Sequence, residues 1–307
     1  MGWNEDSLHR WMSRTLAPRG LAAGFGNDAA VLAGRLERAV LCVDQAIEGV
    51  HFLAGAPQPA VARKACARAL SDLAASGAFP RAVLLALRAP RGESEARLRQ
   101  LVRGVAGEAS RHGAQLVGGD TSCAPGPLSL TVTAVGELGR ASRAVSRSRA
   151  RAGQIVVATG PFGGSGLGRH LRIEPRFDAG RWLVRLGATA MMDVSDGLAL
   201  DLWRIARASK VEIALGHVPI HRDARRAARR SGRPALHHAL FDGEDHELVA
   251  TLPATAVPRA LREAAKRFPN FALLGAVRRG AGLRYPRAED GEELVEFDGR
   301  GGWVHGA

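Results

Sequence analysis

The sequence predicts an α/β or α+β protein built from two lobes of similar size. Three observations favour this fold class: apolar β-type runs alternate with segments of helical periodicity, hairpin signals are few, and an Arg- and Ser-rich stretch divides the chain near its middle. The length of 307 residues allows one or two domains with a sizeable core, and 46% hydrophobic with 24% charged residues is typical of a globular chain.

Residues 1–138 are predicted to form an N-terminal domain. Its opening helix over residues 4–16 has an acidic first turn, which favours the start of a helix. Apolar runs predict strands at residues 40–43, 82–87, 115–117 and 128–135, and helical spacing predicts helices at 60–75 and 93–112. The predicted order is therefore strand, helix, strand, helix, strand, strand.

Residues 139–153 are predicted to form a connector, and residues 154–307 a C-terminal α/β domain. Strands are expected at 154–158, 188–192, 211–215, around Thr251 and at 273–277, and helices at 197–208, 223–230 and 261–268. The second lobe thus repeats the alternation of the first.

Net charge and cysteine positions limit the classes of function that this protein can have. The formal net charge of +13 is carried mainly by arginine, which pairs well with phosphate, although a GC-rich coding bias gives the same composition. Cys42, Cys66 and Cys123 show no CxxC pairing, so we expect neither a disulfide framework nor a zinc site. No apolar run approaches a membrane span, and the start of the chain does not resemble a signal peptide. These features predict a soluble, cytoplasmic protein.

Acidic residues stand at positions that are costly for unpaired charge. They follow glycines, end an apolar strand, lie on an apolar helix or join a strand to a helix: Asp28, Asp44, Asp72, Asp120, Asp193, Asp196, Glu244 and Asp245. Converging carboxylates repel one another unless cations lie between them. Oxygen ligands without a His or Cys cluster point to Mg²⁺, and Mg²⁺ in proteins usually shares its shell with nucleotide phosphates.

Each acid taken alone has a structural alternative. Ser195 or Asp196 is suited to capping the following helix, and an Asp beside Gly is common in turns. Asp72 has no such local explanation, because it lies within an apolar helix. The loop GPFGGSGLG lacks the ending of a Walker A loop, and there is no GxSxG elbow or HExxH pair. From the residues alone, the sequence indicates a Mg²⁺-dependent enzyme that acts on phosphate.

Eight motifs that occur in order allow a more specific prediction of function: GNDAAVL, VDQAIEGVHF, RKACARALSDLAASGA, LVGGDTS with LTVTAVGE, SRSRARAGQ, VATGPFGGSGLG, MDVSDGLALDL and FDGEDHEL. Together they resemble the thiamine-monophosphate kinase family, in the superfamily of aminoimidazole ribonucleotide synthetase and selenophosphate synthetase. The resemblance runs from about residue 24 to 250, with a weaker echo at GGWVHG. It implies a two-lobed synthetase-like fold with an ATP and Mg²⁺ cleft, and a homodimer whose N-terminal lobes pair into a β-barrel.

The resemblance also implies a reaction and its residues. ATP would be the co-substrate, several Mg²⁺ ions the cofactors, and thiamine phosphate the acceptor that becomes thiamine diphosphate. The implied Mg²⁺ ligands are Asp28, Asp44, Asp72, Asp120, Asp193 and Asp196, with Asp72, Asp120 and Asp193 as the catalytic candidates. The implied nucleotide contacts are Gly119, Asp120, Arg147 and Ser195, and the implied substrate contacts are His51, Glu244 and Trp303.

Two departures from the family pattern keep alternatives open. The usual T-D-T around the strand-end acid is Val43–Asp44–Gln45 here, and the usual G-D-S of the second glycine loop is Gly163–Gly164–Ser165. A related ATP-dependent synthetase or kinase with another acceptor, or a relative that has lost catalysis, therefore stays an alternative. The absence of a reactive Cys near the N-terminus argues against the selenophosphate branch.

A nucleic-acid-binding protein is a further alternative, because residues 222–233 are rich in arginine. Their spacing of three and four residues favours a solvated helix face, and aromatic residues that stack bases are absent from this run. We expect no specific nucleic-acid partner. For the kinase reading we expect direct in-line transfer without a covalent intermediate, in which Mg²⁺ offsets the repulsion between two phosphorylated anions.

Overall fold

A computed structural model describes residues 8, 11–12, 14–16, 21–23, 31–32, 38–139 and 145–303. The chain divides into two compact units. The N-terminal unit comprises Met1–Leu73, Ala78–Arg140 and Leu171–Ile173, and the C-terminal unit comprises Ala74–Gly77, Ala141–His170 and Glu174–Ala307. Helical backbone at Leu8, Trp11, Met12, Arg14 and Thr15 agrees with the predicted opening helix. Asp28 lies outside the described residues.

The N-terminal unit is built on a mixed four-stranded sheet. Its elements are β1 (Leu21–Ala23), β2 (Val31–Leu32), β3 (Ala39–Ile47), α1 (Gln58–Ala75), β4 (Phe79–Ala89), α2 (Glu95–Arg111), β5 (Gln115–Cys123) and β6 (Ser129–Glu137). The sheet order is β3-β6-β4-β5, with β4 and β5 parallel and the other neighbours antiparallel. Strands β1 and β2 form a separate antiparallel pair.

Helices cover one face of this sheet and leave the other open. The Cys42 thiol of β3 donates a hydrogen bond to the carbonyl oxygen of Ala69 in α1, at 3.1 Å. Helix α2 packs against β4 and β5. On the opposite face of β3, Leu41 and Val43 are 67% and 62% exposed. Strand residues alternate between faces, so β3 presents an apolar row to the outside. Within the part of the chain that the structure describes, the sheet is open and no strand closes it into a barrel.

The C-terminal unit combines a seven-stranded sheet with helices. Its elements are β7 (Gln154–Ala158), α3 (Phe177–Arg185), β8 (Ala190–Asp193), α4 (Leu198–Ser209), β9 (Glu212–Leu215), α5 (Arg222–Ser231), α6 (Ala235–Phe241), β10 (Leu248–Pro253), α7 (Val257–Arg267), β11 (Ala272–Arg278), β12 (Gly282–Pro286) and β13 (Leu294–Glu296). The strand order is β13-β12-β9-β11-β7-β10-β8. Among the described strands of this sheet, β12 and β9 are the only parallel neighbours, so this unit is α+β.

Most predicted elements are confirmed with shifted ends, and six helices and strands were missed. Helices α3 and α6 and strands β1, β2, β12 and β13 have no counterpart in the prediction. The strand predicted at 115–117 continues to Cys123, so Asp120 lies on a strand and its interpretation as a turn residue is wrong. The arginines of α5 are largely exposed, as expected for a solvated helix face. No helix among the described residues has the length and apolarity needed to cross a membrane.

Candidate active site

The turn between β8 and α4 carries two of the predicted site residues, Ser195 and Asp196. Both of their backbone N–H groups donate to Oδ2 of the buried Asp201, each at 3.0 Å. One carboxylate thus satisfies two backbone donors that precede the helix and fixes the turn. Burial raises the pKa of the Asp201 carboxyl to about 7, although the Asp196 N–H stabilises the ionised form.

Two of the predicted metal ligands in this unit have cationic or imidazole partners. Arg204 donates a hydrogen bond to the carboxylate of Asp196. It also donates one to Asp201, at 2.7 Å. Oδ2 of Asp193, the last residue of β8, lies 3.0 Å from Nδ1 of His246, and both residues are buried. The other ring nitrogen of His246 is buried without a hydrogen-bond partner. Because its neighbour is a carboxylate oxygen, Nδ1 is the ring nitrogen that donates to Asp193.

Glu244 is held against the same turn by its backbone. Its N–H donates to the carbonyl oxygen of Ser195 at 2.7 Å, and the N–H of His246 donates to Val194 at 2.8 Å. Glu244 and His246 both adopt left-handed backbone with φ of 52°, which is uncommon for residues other than glycine. Gly243 precedes them with φ of 72°, and a Cβ there would lie 2.8 Å from the Ser195 carbonyl oxygen. Such strained backbone is concentrated at functional sites in proteins.

Trp303 joins this cluster from a distant part of the sequence. Its backbone N–H donates to the carbonyl oxygen of Asp196 at 2.8 Å, and its side chain is 51% exposed. The C-terminal unit therefore brings together five predicted site residues from three sequence segments: Asp193, Ser195, Asp196, Glu244 and Trp303. The cluster pairs carboxylates with an exposed aromatic ring.

Arg147, the predicted phosphate contact, lies near the other end of α4. Its carbonyl oxygen accepts a hydrogen bond from the hydroxyl of Ser209, the last residue of that helix, at 2.8 Å. Helix α4 has 12 residues and is therefore about 18 Å long, whereas Asp196 precedes its first turn. The hydrogen bonds of this unit thus do not connect Arg147 to the cluster.

The glycine loop GPFGGSGLG has its backbone donors occupied by carboxylates. The N–H of Gly163 faces both oxygens of Asp245 at 3.0 Å, and the N–H of Gly164 donates to Asp242 at 2.8 Å. Arg169 also donates to Asp245, at 2.6 Å. Because these amides already bind anionic groups, the contacts of the loop are structural and differ from those of a phosphate-binding loop.

In the N-terminal unit, Asp44 is bound by an arginine of α1. Arg68 donates from Nε and from a terminal nitrogen to the two carboxylate oxygens, at 3.2 and 2.9 Å, and the backbone N–H of Gln45 donates to Oδ1 at 2.9 Å. This is the bidentate arrangement that makes arginine–carboxylate pairs strong.

Asp72 and Asp120 occupy different elements of the same unit. Asp72 lies half-buried on α1, four residues after Arg68 and therefore on the same helix face. Asp120 is exposed on β5, next to Gly119. A Cβ at Gly119 would lie 1.9 Å from the carbonyl oxygen of Leu85, so only glycine fits at this close approach of β5 to β4.

His51 is fixed by its ring and by its backbone. Its Nδ1 accepts the N–H of Ile47 at 3.1 Å, which leaves the proton of the neutral ring on Nε2. The fully buried Lys64 of α1 donates from Nζ to the carbonyl oxygen of His51 at 2.5 Å. The motif EGVHF is therefore a turn in which both the ring and the backbone of His51 are fixed.

Five residues of these networks were not predicted from the sequence: Lys64, Arg68, Asp201, Arg204 and His246. Each acts on a predicted residue through a contact that the pattern of one chain does not reveal. Asp201 is the partial exception, because a buried Asp just inside a helix that follows S-D-G is a recognisable turn-fixing signal. Among the described residues, no three His, Cys, Asp or Glu side chains meet in a group that would hold a metal ion.

Comparison with known proteins shows close relatives over most of the chain. The family described as AIR synthase related protein, N-terminal domain, matches residues 26–138. The thiamine-monophosphate kinase of Rhodopirellula baltica is 38% identical over 241 residues, which are 75% of this chain and 75% of that protein.

Two solved structures extend the similarity to the whole chain. The crystal structure of thiamine-monophosphate kinase from Stenotrophomonas maltophilia K279a has a TM-score of 0.78 and 32% identity, and the match covers 94% of this chain and 98% of that one. The structure of AaThiL complexed with AMPPCP and TMP has a TM-score of 0.75 and 27% identity, with coverage of 98% and 96%. Both lobes of this chain are thus covered by solved relatives.

Proposed function

This chain belongs to the thiamine-monophosphate kinase family, and on that premise we propose that it transfers the γ-phosphoryl group of ATP to thiamine monophosphate. The product is thiamine diphosphate. A relative that binds AMPPCP and TMP supports this pair of substrates. The observation that carries the proposal is the cluster of Ser195, Asp196, Glu244 and Trp303, in which backbone hydrogen bonds join two acidic residues and an exposed tryptophan to one turn.

The chemistry of the donors fits Mg²⁺ as cofactor. The proposed ligands are all carboxylates, which suit this hard cation: Asp28, Asp72, Asp120, Asp193 and Asp196. Proteins hold Mg²⁺ with one or two carboxylates plus substrate phosphates more often than in an all-protein cage, which agrees with the absence of a three-residue metal group among the described residues. When bound, Mg²⁺ neutralises phosphate charge during transfer.

The protein side chains would recognise the acceptor by charge and shape. The thiazolium ring of thiamine is cationic, so the indole of Trp303 and the carboxylate of Glu244 both favour it. His51, whose ring accepts the Ile47 N–H and whose carbonyl oxygen accepts from Lys64, is the proposed contact to the acceptor in the N-terminal unit. Because the acceptor phosphate is already ionised at neutral pH, in-line transfer needs no strong general base and no covalent intermediate.

One assay tests this function. Purified protein is incubated with ATP, Mg²⁺ and thiamine monophosphate, and thiamine diphosphate and ADP are quantified by chromatography. We expect both products in equal amounts, and none with aminoimidazole precursors as acceptor. ATP use with the aminoimidazole acceptors alone would indicate the related synthetases, and no ATP use with any acceptor would indicate a relative without catalysis.

We also propose that two copies of this chain pair through the open face of the N-terminal sheet. The exposed apolar side chains Leu41 and Val43 on β3 support this pairing, because a contiguous apolar face on a long edge strand is characteristic of an interface. Light scattering after size-exclusion chromatography should give twice the chain mass for the wild type and the single mass for Val43→Arg. Leu261→Arg on α7 is the matched control, because Leu261 is 45% exposed in the other unit. A monomeric wild type would contradict the pairing.

A further inference from the structure

The Arg68–Asp44 pair occupies the position where the resemblance implies a metal ligand. Arg68 binds both carboxylate oxygens, and the Gln45 N–H binds one of them again. The side chains of Arg68 and Asp44 are only 12% and 23% exposed, so water screens their attraction less than at an open surface. The carboxylate therefore already has a full unit of positive charge beside it.

The flanking side chains add no oxygen beside this carboxylate. Val43 and Gln45 neighbour Asp44 on β3, so their side chains point to the opposite face of the sheet. Val43 is apolar and exposed, and the Gln45 side chain donates to the Thr131 hydroxyl at 3.2 Å. A Mg²⁺ ion at Asp44 would need several further oxygen ligands, because it demands near-octahedral coordination.

The ion pair at Asp196 differs from the one at Asp44 in the number of hydrogen bonds that a metal ion would have to break. Arg204 gives Asp196 a single N–H and bonds the buried Asp201 at the same time. If Asp196 turned to a metal ion, Arg204 would keep its contact with Asp201. At Asp44, by contrast, a metal ion would have to break both bonds of a bidentate pair.

We propose that Arg68 supplies the positive charge at Asp44 that a divalent ion would otherwise supply, so that Asp44 is not a metal ligand in this chain. The Arg68 guanidinium then takes the place of the metal ion, and Val43 and Gln45 take the place of the two threonines in the family pattern. These two features are parts of a single change. This inference rests on the proposed function for the nucleotide that accompanies the metal. It predicts that this chain binds one divalent ion fewer than the same chain without Arg68.

Counting bound Mn²⁺ tests the proposal without an activity measurement. Mn²⁺ shares the preference of Mg²⁺ for carboxylate and phosphate oxygens, and its free form is quantified by electron paramagnetic resonance. The titration is run with a non-hydrolysable ATP analogue in excess. We expect Asp44→Asn to bind as many Mn²⁺ ions per chain as the wild type, Arg68→Met to bind one more, and the double variant to return to the wild-type number.

Arg99→Met is the matched control, because it frees Glu95 from an ion pair on α2 in the same unit. Its Mn²⁺ number should equal that of the wild type. Loss of one ion in Asp44→Asn, or no gain in a folded Arg68→Met, would overturn the proposal. Should Arg68→Met not fold, the Asp44→Asn result decides alone. Failure to phosphorylate thiamine monophosphate would overturn the proposed function separately, since the Mn²⁺ count needs no acceptor.

Discussion

Lys64 gives the most direct test of how the fold prepares the predicted substrate contact. Its ammonium group is fully buried and donates to the carbonyl oxygen of His51 at 2.5 Å. A hydrogen bond with a charged donor contributes about 1.5–3 kcal/mol. Lys64→Met removes the donor but retains a flexible apolar side chain of similar length, which fills the same space in the core. We therefore expect the variant to fold.

The expected effect appears in the affinity for the acceptor. If the full hydrogen-bond energy serves to orient the His51 turn, its loss raises KM for thiamine monophosphate between about tenfold and about 150-fold. Because the predicted nucleotide contacts lie elsewhere in the chain, KM for ATP should change by less than about twofold. Steady-state kinetics with each substrate varied in turn separate the two constants.

Lys266→Met is the control for this experiment, because Lys266 is exposed near the end of α7. It should leave both Michaelis constants unchanged. A folded Lys64→Met protein, as judged by its melting temperature, with an unchanged KM for thiamine monophosphate would refute the reasoning. So would an equal rise in both constants, because that outcome indicates a general loss of structure.

Three further predictions follow from the same contacts. Asp72→Asn and Asp120→Asn should each lower kcat by orders of magnitude with little change in melting temperature, and near-wild-type turnover in both would contradict their assignment to Mg²⁺. Gly119→Ala should destabilise the N-terminal unit by about 3 kcal/mol or more in urea unfolding, because its Cβ would meet a backbone carbonyl oxygen at 1.9 Å. Burial raises the pKa of Asp201 and of Asp245 to about 7 from 3.8, so the folded chain retains protons that the unfolded chain releases. The free energy of unfolding should then fall as the pH rises from about 4 to about 7, less steeply in Asp245→Asn, and a pH-independent value would contradict this.

The sequence predicted long, periodic elements better than short ones. Helix α2 shows why: Leu98, Leu101, Val102 and Val105 repeat at helical spacing on its buried face, and Ser94 caps its start. Helix α3 has nine residues and α6 has seven, so their periodicity extends over barely two turns. Strands β12 and β13 have five and three residues, and β12 joins the sheet by pairing with β9, which lies far earlier in the sequence.

The site was predicted residue by residue, but its contacts were not. The resemblance named Ser195 and Trp303, which are separated by more than a hundred positions, yet it gave no reason for them to meet. The reason is the hydrogen bond from the backbone N–H of Trp303 to the carbonyl oxygen of Asp196, which only the folded chain shows. In the same way, the sequence predicted that the charges of Asp44 and Asp193 need partners. It did not predict that Arg68 and His246 are those partners.

These partners differ in what a metal ion would have to displace. His246 holds one oxygen of Asp193 by a single hydrogen bond, as in proteins whose ligating carboxylates are oriented by a second residue. Arg204 bonds Asp196 while it retains the buried Asp201, so Asp196 gives up only one bond. At Asp44 the bidentate Arg68 cancels the charge itself. A metal ion at Asp44 would therefore have to displace more than a metal ion at Asp196.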